Sequence, residues 1–135
     1  MNDALFHDAF FDLTLPAELF DHQGHIRLAF IVLSQRPFGE ALTTLRDGIR
    51  AYATHLGAPE KYHETITVAF ASLVNAAMAE DEARGQACTD GLAFAERHPE
   101  LLDSEVLYHH YDRATLHSEQ AKHVFLLPRR MSAAP

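Results

Sequence analysis

Apolar positions along this chain recur mostly three and four residues apart, the spacing that turns one face of an α-helix inward. The pattern is cleanest over Phe38, Ala41, Leu42, Leu45, Ile49, Tyr52, Ala53 and Leu56. It predicts a helix from Pro37, a favourable first-turn residue, to a stop at Gly57. An earlier helix is predicted over 22–34. Asp21 is its N-cap, and His22, His25, Ile26, Ala29 and Leu33 share one broad face with Phe30 at its edge. A third helix follows Pro59 and runs to about Ala83, with His63, Ile66, Phe70, Leu73, Val74 and Ala77 as its stripe. Glu80 to Gly85 reads as its solvated end. Shorter helices are predicted over 86–97, from a cap at Asp103 or Ser104 to about Tyr111, and from Ser118 to about Leu126.

No alternating run bounded by turn residues points to a strand. The expected fold is all-α: a single-domain antiparallel helical bundle of about five helices plus an N-terminal arm. Short connections make neighbouring helices run in opposite directions. Residues 1–20 form the arm, where Phe6, Phe10, Phe11 and Leu13 precede a break at Pro16. Phenylalanines that close together fold back on the body. Residues 128–135, with two arginines and small side chains, read as a loose tail.

Composition narrows the picture. A chain of 135 residues is enough for one core without staples. Its net charge of -8, with 11 Lys and Arg spread thinly, argues against nucleic acid. No apolar segment reaches membrane-spanning length, and no basic stretch followed by a long apolar run opens the chain. Cys88 stands alone, so no disulfide framework forms and a reducing cytoplasm is expected. The unusual count is histidine, at 10.

Topology turns some of those histidines into a candidate site. If the three long helices alternate in direction, the first and third begin at the same end, and His22, His25 and His63 point inward there. His55 and His98 are expected at that end too, with His55 off its stripe. Three imidazoles make a centre with an open position for a divalent transition metal such as Zn, Fe or Ni. Histidines three apart reach one ion because they lie about a turn apart, and a helix start favours the neutral ring. Tyr62, Glu64 and Thr67 are the candidate catalytic partners. Glu64, however, projects about 100° away from His63 on a regular helix. The competing reading is a metal-free polar pocket of His22, His25, Tyr62, His63 and Thr67. The functional expectation is a soluble protein with a histidine-lined site that acts on a small molecule as a metal-dependent enzyme. The alternative is a non-catalytic ligand-binding or protein-interaction module, with the aromatic arm covering a second copy in a homodimer. His117 and His123 are expected on the surface, and Cys88 as an inert small residue.

The blocks His22 to Ala29 (H-x-x-H-I-x-L-A), Arg46 to Arg50 (R-D-G-I-R), His55 to Pro59 (H-L-G-A-P) and Tyr62 to Thr67 (Y-H-E-T-I-T) come in a recognisable order. Phe94 to Asp103 and Leu116 to Ala121 complete it. Together they resemble a family of small bacterial all-helical proteins of unassigned function, over about residues 22–127. The resemblance implies a bacterial origin and a helical fold, and brings no reaction with it. The chain departs from the family's usual Pro-Asp-Leu ending at Leu127-Pro128-Arg129-Arg130.

Overall fold

The structure, a computed structural model, describes residues 1–128. It is all-helical, with no strand among the described residues. The described residues form seven α-helices: α1 (Asp3–Phe11), α2 (His22–Gln35), α3 (Phe38–His55), α4 (Glu64–Ala83), α5 (Gly91–Arg97), α6 (Arg113–Leu116) and α7 (Glu119–His123). Short 3₁₀ turns at Ala17–Leu19, Pro59–Lys61, Pro99–Leu102 and Val106–His109 fill the connections. The tail expected over 128–135 lies, past Pro128, outside the described residues.

The hub is α2. Every residue from Ile26 to Leu33 is buried, so the run Leu-Ala-Phe-Ile-Val-Leu is enclosed on all sides. A helix apolar around its whole circumference has to be surrounded, and α1, α3, α4 and α5 surround this one. Reading only one inward face for it understated the helix. Arg27 is caught in the same enclosure, and α1 supplies its partner. Asp3 accepts from the Arg27 Nε at 3.0 Å, the Met1 carbonyl accepts from its Nη2 at 2.6 Å, and the other Asp3 oxygen accepts from Gly91 N at 2.8 Å. The N-terminal segment therefore folds back on the body, as the helix α1. Phe6 and Phe10 are fully inside, and Tyr52 donates its hydroxyl to the Leu15 carbonyl at 2.7 Å.

The α3 helix has the boundaries its periodicity predicts, with Ala41, Leu45 and Tyr52 buried. The α4 helix is packed on two sides. One side meets α2 and α3, while Ala69 and Thr65 meet the C-terminal segment in a smaller second core with Leu107, Tyr111 and Leu116. Thr65 Oγ1 donates to the Val124 carbonyl at 2.9 Å and accepts from Leu126 N at 3.1 Å. Four boundaries differ from expectation, the first being α4, which begins at Glu64 and not just past Pro59. The helix over 86–97 begins only at Gly91, where Asp90 caps it. The segment after Asp103 is a 3₁₀ turn, and the last helix stops at His123.

Candidate functional site

Residues from α2, α3 and α4 line a half-open cavity of about 360 Å³. Leu45, Ile49, Ile66, Phe70, Ala29 and Ala71 supply its apolar wall, and Phe20 closes one side. His22, His25, Tyr62, His63 and Thr67 all reach the same cavity, so the histidines expected together do share one space. Lys61 and Asp21 complete the lining. A second cavity of about 460 Å³ adjoins it, bounded by Tyr52, Ala53, Leu56 and Ala58.

The three candidate imidazoles are engaged in different ways. The His22 Nε2 lies 2.7 Å from the Leu101 carbonyl, and its ring meets Phe70 edge-on. The His25 Nδ1 lies 2.9 Å from the Asp21 carbonyl, and its ring lies on Phe20 with centroids 3.9 Å apart. A carbonyl only accepts, so each ring must place its proton on that nitrogen and keep the other as an acceptor. His63 keeps nothing in reserve. Its Nδ1 accepts from Ile66 N at 3.1 Å, and its Nε2 donates to the Leu116 carbonyl at 2.8 Å. His63 is not inside the helix, as its place on the apolar stripe implied. It is the N-cap of α4, in extended conformation.

That geometry bears on the metal centre expected from His22, His25 and His63. Among the described residues no group of three His, Cys, Asp or Glu side chains is gathered to hold an ion. Both His63 nitrogens are already spent on backbone groups, so a ligand role would cost the helix cap. Two of the rings, His25 and His63, are also disfavoured as imidazolium. Burial pushes the His63 imidazolium below its ordinary value, against the carbonyl of Leu116, with His117 and Lys122 adding to the fall. Burial depresses His25 likewise, against the Asp21 carbonyl bond and with help from His22. Taken over the whole residue His25 is exposed, but its ring is stacked and desolvated, and the ring is what titrates.

The candidate catalytic trio also divides. Glu64 is buried, accepts from the Tyr62 hydroxyl at 2.6 Å and from Arg46 Nε at 3.1 Å, and has Arg46 Nη2 at 2.8 Å and Arg50 at 3.5 Å. Burial alone would raise its carboxyl, but the bonds from Tyr62 and Arg46 and the two arginine charges outweigh it and hold the group below the usual range. Tyr62 is pushed up by burial and by its bond to Glu64, so it remains a phenol. Arg50 stacks over its ring at 4.6 Å. Thr67 donates to the His63 carbonyl at 2.8 Å. Glu64 thus anchors a wall of the cavity from behind and is not among the residues lining it.

His55 is exposed and does not reach this cavity. His98 lies at the other end of α4, where its Nε2 meets the buried Asp81 at 2.7 Å and its Nδ1 meets Glu100 at 3.1 Å. Residues 63 and 81 are separated by about 27 Å of helix at 1.5 Å per residue. Asp81, expected in a solvated end, is 3% exposed. The roles of Lys61, Phe20, Arg46 and Arg50 were missed. Only the Arg46 and Arg50 pair left a signal, being four apart on one helix face. No family model, curated protein or solved structure matches the chain, so the chemistry of the site rests on its own atoms.

Proposed function

We propose that the chain is a binding module that holds a small, mainly apolar molecule between α2, α3 and α4. One observation carries this reading: an apolar cavity of about 360 Å³ where Tyr62, His63 and Thr67 are committed to the fold, leaving one nitrogen each of His22 and His25 and the Lys61 ammonium. Sites for small molecules run from about 300 to 1,000 Å³ and are mostly apolar with a few placed polar groups. A catalyst needs groups free to exchange protons, yet Glu64, Tyr62, Thr67 and both nitrogens of His63 are bonded within the protein. His22 Nδ1 and His25 Nε2 are left as acceptors, enough to orient a ligand that carries a donor. Alternating directions for α2, α3 and α4 belong to this reading. In support, the end of α3 (Tyr52, Ala53) and the starts of α2 and α4 border the two adjoining cavities.

Titration of the ¹⁵N-labelled, untagged full chain with 1-decanol tests it. Amide shifts should concentrate on Ile66, Phe70, Ala71 and His25 and saturate. Scattered, non-saturating shifts would overturn the reading. Elemental analysis of the same sample should find Zn, Fe and Ni below one equivalent. A stoichiometric ion lost on replacing His22 would bring back the metal-dependent enzyme.

A further inference from the structure

The two cavities share five residues, Phe20, His25, Ile49, Lys61 and Tyr62. Four of these build a wall. Phe20 and His25 are stacked, and Tyr62 is pinned by Glu64 and covered by Arg50. The fifth, Lys61, is the one cation on the shared lining among the described residues. It lies in the Pro59–Lys61 turn just ahead of α4 and makes no ion pair among the described residues. Arg46 and Arg50, the other cations nearby, are spent on Glu64.

The geometry points to an amphiphile with a carboxylate head at Lys61 and an aliphatic chain in the first cavity. This deepens, and rests on, the binding reading above. Asp21, which lines the first cavity and is not on the shared lining, accepts from Gly24 N at 2.8 Å as the cap of α2. The charge of Glu18 is felt at Tyr52 on the second cavity, which disfavours an anionic ligand extending that way. Size agrees. At about 30 Å³ for each water-sized group, the first cavity takes a ligand of about a dozen non-hydrogen atoms, the size of a ten-carbon acid. The chain as a whole carries a net charge of -8, so its long-range field repels anions. Any preference for a carboxylate must therefore be local to Lys61.

The test compares sodium decanoate, 1-decanol and decylammonium on the full-length protein by calorimetry and amide shifts, at low ionic strength. Decanoate should bind roughly 1.4- to fivefold more tightly than decanol, the range of a solvent-exposed ion pair, and decylammonium more weakly than either. K61M should bring decanoate to the level of decanol, and K61R should keep the preference. Equal binding of all three, or a preference that survives K61M, overturns the head-group assignment while leaving the cavity reading intact. Shifts centred on Ala53, Leu56 and Ala58 overturn the placement of the chain. Failure of every ligand to perturb cavity amides overturns the binding reading itself.

Discussion

His63 concentrates the physical chemistry of the site in one ring. It caps α4 through Nδ1 and ties Leu116 through Nε2, and both bonds need the neutral form with its proton on Nε2. Its folded value is depressed, so the unfolded chain takes up a proton first, at about pH 6.5. Its contribution to stability is complete above that pH and is lost as the pH falls from there through the folded value. Thermal melts should be level above about pH 7 and decline below 6.5, with a further loss below 4.5 as Glu64, also depressed, protonates. H63N keeps a capping acceptor but has no ring to charge. It should cost about 1 kcal/mol at pH 8 from the lost Leu116 bond and flatten the decline between pH 6.5 and 5, leaving the share of His25. An unchanged slope in H63N would refute this. His22, His25, Tyr62, His63 and Thr67 were legible as neighbours at the cavity, but Phe20, Lys61 and the bonding of the rings were not. Histidine is no habitual cap, and Pro59 looked like the helix start when it opens a turn of its own.

At the scale of elements, close approaches decide where α2 sits. A Cβ on Gly24 would fall 2.4 Å from the Leu19 carbonyl oxygen, and backbone cannot step aside as a side-chain tip can. Helix propensity alone makes Gly→Ala favourable by up to about 1 kcal/mol, while overpacking costs about 1–3. The clash should win. G24A is expected to lower the melting temperature and disturb Phe20 and His25. G39A, with nothing within 4 Å, should raise the melting temperature by a few degrees. Parallel calorimetry of the two settles it, and a stabilised G24A would contradict the packing. The periodic element, α3, was readable to within a residue at each end. The shorter ones after Gly85 were not, since four- and five-residue helices such as α6 and α7 depend on tertiary partners more than on a repeat.

For the molecule as a whole, the N-terminal helix is part of the core. Deleting residues 1–16 removes Phe6, Phe10 and Leu15, each worth about 1.5–3 kcal/mol when buried, and strands Arg27, which is 7% exposed. Such losses approach the roughly 5–15 kcal/mol of a whole domain. The truncated chain should lose its cooperative melt by circular dichroism. A sharp melt near that of the full chain, with a smaller mass in solution, would instead make the segment a cover for a second copy. Long-range ties of this kind, such as Asp3 to Arg27 or Asp81 to His98, leave no local trace in a sequence, because partners 17 or more residues apart are chosen by the fold. No helix among the described residues is long and apolar enough to cross a membrane.

Two rings at the cavity double as fasteners for distant backbone, His22 at Leu101 and His63 at Leu116. A guest that nudges either imidazole therefore tugs on the last third of the polypeptide. On the binding reading proposed above, two short tethers would carry such a displacement to the buried Leu101 and Leu116.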